Sequence, residues 1–153
     1  MRLLALLLGL VLPGCSGKGP EGLPVPPPMD MAAIVRPSSS NTALAAPEGF
    51  RPPPDIVTRR YDVPPDQLYE AIRRVALAQP RTWLQVAYDD RLQAHFVARS
   101  AVFNFPDLIA VQVNPDRTLV LWSRSVYGEG DFGVNRKRLQ AWLAALDATL
   151  PAR

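Results

Sequence analysis

The sequence predicts an α+β domain of two layers, with element order β-α-β-β-β-β-α, an antiparallel sheet and both helices on one face. Three observations predict it. Four strand-like runs follow one another through short turns, which favours antiparallel pairing. Two amphipathic helical stretches, one before those runs and one after, each offer an apolar stripe to the same layer. Thirteen of the 17 prolines lie at or before Pro65, so a Pro-rich leader precedes an ordinary domain over 56–150.

Ile56 to Tyr61 alternates well enough for a short strand. Pro64-Pro65-Asp66-Gln67 then opens a helix, with Pro65 suited to the first helical position and Asp66 to the positive end of the dipole. Leu68, Ile72 and Val75 supply its stripe and Pro80 ends it. Thr82 to Tyr88 and Leu92 to Arg99 are joined through Asp89-Asp90-Arg91. Leu108 to Val113 and Leu119 to Val126 are joined through Asn114-Pro115-Asp116-Arg117, a turn signature. Asp131 is the expected N-cap of the last helix, in which Leu139, Trp142, Leu143, Leu146 and Leu150 share a face. The expected core is Leu68, Ile72, Val86, Phe96, Val111, Leu121, Leu143 and Leu146. This order is similar to the fold of the TATA-binding protein, a likeness of architecture that carries no function.

Composition narrows the function. Of 153 residues, 48% are apolar and 20% charged, which excludes wholesale disorder. One Cys and one His leave almost no room for metal cages, disulfide scaffolds or redox pairs, so no metal or cofactor is expected. The net charge is +3, carried by fifteen Arg and two Lys against 14 acidic residues. The longest basic cluster, Arg136-Lys137-Arg138, is shorter than the runs that mark nucleic-acid tails, and no nucleic-acid partner is expected.

Residues 1–14 read as a signal peptide: one Arg, an apolar run from Leu3 to Leu12, then Pro13-Gly14. The run is about half the roughly twenty residues a spanning helix needs. The stretch Leu12-Pro13-Gly14-Cys15 resembles a bacterial lipobox, with the only Cys of the chain at the position the chemistry uses. That resemblance implies a diacylglycerol on Cys15, cleavage before it, acylation of the new amine, and the lipid bilayer as a partner. Ser16 in place of Asp implies, by likeness to enterobacterial sorting, the outer membrane, with the domain facing the periplasm. From Ser16 to Asp55, 40 residues hold ten prolines without apolar periodicity. Residues 15–55 therefore read as a semi-rigid tether, in which 36–49 is either more linker or an extended strap lying on the domain.

The stretch from Val126 to Leu139, VYGEGDFGVNRKRL, resembles the bacterial and plastid family called domain of unknown function 1499. That family carries a Ser-Arg-x-x-Gly-x-x-Asp-x-Gly-x-Asn-x-x-Arg signature before its last helix. Here Ser123-Arg124 or Ser125, Gly128, Asp131, Gly133, Asn135 and Arg138 fill it. Phe105-Pro106-Asp107 resembles the family's Phe-Pro-Asp turn, Arg99 the basic residue before it, and 36–49 its opening motif. Many members carry cysteines where Arg36 and Thr42 stand, so the disulfide that the resemblance would imply is impossible here. The likeness spans about 36–147 and implies no activity.

Candidate sites are few. His95 lies mid-strand with no second His or Cys, and reads as a sheet-face residue rather than a ligand. Ser100 has no nucleophile elbow or triad spacing around it, and no catalytic residue is assigned. Trp83, Trp122 and Trp142 read as core or sheet-face filler before they read as a ligand groove. The polar signature is the better candidate: Arg99, Asp107, Arg124, Asp131, Asn135 and Arg138 are expected to converge at one end of the sheet. There they either clasp the loops through Arg–carboxylate pairs or hold an anionic ligand, and Arg138 would pair with Asp107 or Asp131. Two classes of function remain. One is a non-catalytic envelope module that binds a partner protein or serves structurally; the other is a small envelope enzyme or a lipid- or ligand-handling module.

Overall fold

Residues 17–150 are described by the computed structural model; the stretch 1–14 read as a signal peptide, and Cys15, lie outside them. Among these residues are six strands: β1 (Thr42–Pro47), β2 (Ile56–Thr58), β3 (Thr82–Tyr88), β4 (Gln93–Arg99), β5 (Pro106–Val113) and β6 (Leu119–Ser125). The helices are α1 (Pro65–Leu77) and α2 (Val134–Thr149). The strands form one sheet in the order β2-β1-β6-β5-β4-β3. The expected order β-α-β-β-β-β-α runs from β2 to α2.

The sheet is mixed rather than wholly antiparallel. β3 to β6 pair antiparallel as their short turns require. β1, from the stretch read as linker or strap, lies antiparallel to β6 and parallel to β2. Its sequence, Thr-Ala-Leu-Ala-Ala-Pro, does not alternate in polarity because both of its faces are covered, so the period-2 signal that marks a half-buried strand is absent. Asp55 holds the parallel pair together. Its backbone N–H donates to the Leu44 carbonyl at 2.8 Å and its carboxylate accepts from the Leu44 N–H at 2.8 Å. Arg36 donates to the same carboxylate at 2.6 Å.

Both helices pack on one face, as the sequence predicts. Leu68, Ile72 and Val75 of α1 and Leu139, Trp142, Leu143 and Leu146 of α2 meet Ala43, Ala45, Phe96, Ile109, Val111 and Leu121 of the sheet. The small β1 side chains let α2 approach, and Trp142 fills the space above Phe96 edge-on at 5.7 Å between centroids. Of the expected core residues, only Val86 is half-buried. It lies on the edge strand β3 beside a register shift between Leu84 and Val86, where the sheet has no further neighbour.

The opposite face is covered by the Pro-rich segment. The segment read as a semi-rigid tether lies across the sheet from Gly17 onward. Prolines lack an N–H, so their carbonyls alone need partners, and side chains of the edge strand supply the donors. Gln85 donates to the Pro24 carbonyl at 2.9 Å and Tyr88 to that of Pro26 at 2.6 Å. The fully buried Gln93 amide then imitates a strand pairing, accepting from Met29 N–H and donating to Met29 C=O, both at 2.7 Å. Met31 and Ile34 complete the cover over Leu44, Ala46, Ala110, Val120 and Trp122.

Leu146 is fully buried at the centre of the helical layer. Leu146→Ala should lower the unfolding free energy by about 2–5 kcal/mol, measured as a shift in the urea midpoint at constant slope.

Candidate functional site

The signature residues meet at the N-terminus of α2. Gly133, with φ of 76°, makes the left-handed turn into the helix and occupies its N-cap position, where the sequence predicted Asp131. Asp131 caps from two residues further out. Its carboxylate accepts from the backbone N–H of Gly133 at 2.9 Å and of Asn135 at 2.8 Å, near the positive end of the helix dipole. Asn135 is completely buried and spans the gap between helix and sheet. Its Nδ2 lies 2.9 Å from the Asn41 carbonyl, 2.9 Å from Ser125 Oγ and 2.8 Å from Asp131 Oδ2. Its Oδ1 accepts from Ser123 Oγ and from Arg138 Nη1.

Arg138 closes the cluster. One end of its guanidinium serves Asn135 at 2.8 Å and Ser123 Oγ at 3.1 Å, and the other reaches Asp107 at 2.6 Å. Arg138 and Asp107 are 14% and 11% exposed, so the ion pair is shielded from solvent and accompanied by further hydrogen bonds. Of the two pairings the sequence offered for Arg138, the structure selects Asp107. Asp107, Asp131, Asn135 and Arg138 therefore form one clasp joining β5, β6 and α2 to the start of β1.

Arg99 and Arg124 do not join it. β4 and β6 run in the same direction, so both residues do reach the end of the sheet that carries these loops. Side chains alternate along a strand, however, and both point to the face opposite the helices. Arg99 is 4% exposed and clamps the Pro-rich segment, donating to the carbonyls of Gly19 at 2.7 Å, Glu21 at 2.9 Å and Asn104 at 3.0 Å. Gly19, at φ of 54°, is required here: a Cβ would stand 3.0 Å from Trp83. Arg124 is exposed, and its side chain has no ion pair or hydrogen bond among the described residues. It lines an open groove of about 290 Å³ between the Pro-rich segment and the sheet, with Pro26, Met29, His95, Leu108 and Trp122.

His95 accordingly faces this groove. Its Nε2 lies 3.1 Å from Gln93 Oε1 and its ring meets Tyr88 edge-on at 6.0 Å. Burial pushes its pKa below the ordinary imidazole value. Trp122 packs on the same face, Trp142 lies in the helical core, and Trp83 lies under Gly19. Among the described residues no group of three or more His, Cys, Asp or Glu is placed to hold a metal ion. No described helix is long and apolar enough to cross a membrane.

Gln93 was not singled out from the sequence, and Ser123 and Ser125 entered only through the family signature, yet both sets have a period-2 signal. Gln93, His95 and Arg99 alternate with Ala94, Phe96 and Ala98, and Ser123 and Ser125 continue the helix-facing row of Leu119 and Leu121.

The model of the family described as protein of unknown function (DUF1499) matches residues 32–146. The chain belongs to the DUF1499 family. No curated protein matches it. The family's match covers the whole clasp of Asn41, Asp107, Ser123, Asp131, Asn135 and Arg138. It begins at Ala32, inside the segment that covers the second sheet face, and so takes in β1 as part of the domain.

Three outcomes follow from this geometry. Arg138→Met should destabilise the protein by about 3–5 kcal/mol, because it leaves the Asp107 carboxylate without its cation. Arg124→Ala should stay within about 0.5 kcal/mol of the parent in the same denaturation assay. His95 should make stability pH-dependent. The unfolded chain takes up a proton near pH 6.5, while the folded ring resists it, so stability is fully present above that value and falls as pH drops below it. The thermal midpoint should decline from pH 7.5 to 5.5 more steeply in the parent than in His95→Gln; equal slopes would remove His95 as the cause.

Proposed function

We propose that this DUF1499 protein is a lipid-anchored module of the bacterial envelope, with no catalytic role, that binds a partner or ligand while held at the membrane. The lipobox-like Leu12-Pro13-Gly14-Cys15 supports the anchor. The observation that carries the reading is the place of the single Cys at the end of an apolar run, and cleavage before it would leave every described residue of the sheet, the helices and the Pro-rich cover in the mature chain. The anchor places the domain on the periplasmic side, and Ser16 favours the outer membrane.

The clasp supports a structural role for the signature. Its one cation, Arg138, already serves Asp107, Asn135 and Ser123, and Asp131 is occupied by backbone and amide donors. A group so engaged is poorly placed to turn over a substrate. Binding falls instead to the opposite face. There the groove presents apolar walls and the uncommitted Arg124 guanidinium, a combination suited to an anionic group attached to an apolar body. This groove is also what a ligand-handling module would use.

The test is made on the full chain expressed in a bacterial host. The parent should fractionate with membranes and carry the diacylglycerol mass on Cys15. Cys15→Ser should remain uncleaved or become soluble, without that mass. A mature N-terminus mapped downstream of Cys15 on a wholly soluble protein would sink the anchor. Capture of an envelope component by the lipidated parent and not by its Arg124→Ala form supports the binding role.

A further inference from the structure

We infer that the end of the sheet carrying the β4–β5 loop is a second membrane contact, seated in the bilayer surface beside the lipid anchor. This rests on the anchor proposed above and adds to it a protein surface that touches lipid.

The first observation is where the chain enters the fold. The Gly17 carbonyl accepts from Asn104 Nδ2 at 2.9 Å, and Arg99 holds the carbonyls of Gly19 and Glu21. The N-terminal end of the described chain is thus pinned to the β4–β5 loop. Only Ser16 separates Gly17 from Cys15. Two residues reach at most about 7 Å, so an acyl-bearing Cys15 cannot hold this loop far from the bilayer.

The second observation is what the loop exposes. Val102 is 83% exposed and Phe103 68%, on a loop closed at its base by Ser100 and Phe105. Phe103 stacks on Phe105 at 5.4 Å, and Phe105 meets Tyr127 at 5.8 Å. Tyr127 belongs to the loop after β6, which ends at the same edge because β4 and β6 run the same way. That loop carries Phe132, 98% exposed. Large apolar side chains so exposed at one end of a small domain are unfavourable in water. Aromatic rings are favoured at the membrane–water interface, where apolar bodies leave water and polar neighbours stay hydrated. Lys18 and Arg81 lie at the rim, with Arg81 Nη2 donating to Asn104 at 2.7 Å, and can meet lipid phosphates.

Single introduced thiols test this on the full, lipidated protein. The only native Cys is blocked by its own thioether when the anchor is present. The purified protein is inserted into preformed phosphatidylethanolamine–phosphatidylglycerol vesicles and treated with a charged, membrane-impermeant maleimide. Phe103→Cys, and Ala101→Cys, which keeps every aromatic side chain, are compared with Val57→Cys. Val57 is exposed on β2, at the opposite end of the sheet by register. Both loop thiols should label several-fold more slowly than Val57→Cys in vesicles, and the difference should vanish in detergent. Ala101→Cys decides the matter if removing the Phe103 ring lifts the loop. Labelling of Ala101→Cys as fast as Val57→Cys in vesicles, with the diacylglycerol mass present, would overturn the inference. Absence of that mass, read separately by mass spectrometry, would instead overturn the anchor.

Discussion

The two layers of the domain are joined through one buried amide. Asn135 has no contact with solvent, and its side chain bonds to the start of β1, to both serines at the end of β6, to Asp131 before α2 and to Arg138 within it. Nδ2 has two hydrogens for three acceptors, so one is shared, while Oδ1 accepts from Ser123 and Arg138, and the buried amide is satisfied at both ends. Arg138 extends the node to β5 through Asp107. Three strands and a helix terminus are thereby set in register at the end of the sheet where loops would otherwise be free to vary. Hydrophobic packing brings α2 to the sheet, and the node decides how far along its axis it sits.

The other face has a different solution. A sheet with helices on one side leaves its second face apolar along β1, β5 and β6, with Leu44, Ala46, Ala110, Val120 and Trp122 to cover. No third α-helix does so among the described residues. The Pro-rich segment does, with Met31 and Ile34 as its apolar contacts and Gln85, Tyr88, Gln93 and Arg99 as the side chains that bind its carbonyls. Such a segment suits the task because a polyproline-like chain is already extended and loses little conformational freedom on docking. Its cover is incomplete, and the groove beside His95, Trp122 and Arg124 is the gap that remains.

These two solutions sort the arginines by function. Arg138 is spent within the clasp and Arg99 on the N-terminal carbonyls, while Arg124 faces the groove without a partner among the described residues. Because Arg99 also serves the Asn104 carbonyl, the chain's point of departure and the aromatic β4–β5 loop are one structural unit. Gly17 and the exposed Val102 and Phe103 are thereby held together at one end of the sheet.

Local sequence determined the helices, the four antiparallel strands, their turns and the shared helical face. Each depends on spacing between near neighbours: the Leu68-Ile72-Val75 stripe, Pro65 at the first helical position, the Asn114–Arg117 turn. It also determined the clasp in outline, since Asp131, Asn135 and Arg138 lie within two helical turns of one another. Tertiary structure decided the rest. β1 could not be read as a strand because cover on both faces erases alternation, and its parallel pairing is held by Asp55, which precedes β2 and bonds to Leu44 across the pair. The separation of Arg99 and Arg124 from Arg138 was decided by which face each strand residue took, and the docking of the prolines by donors more than 60 residues away in the chain. Short-range patterns are written into contiguous residues, whereas a face, a register or a covering segment is chosen by whatever the folded chain brings opposite it.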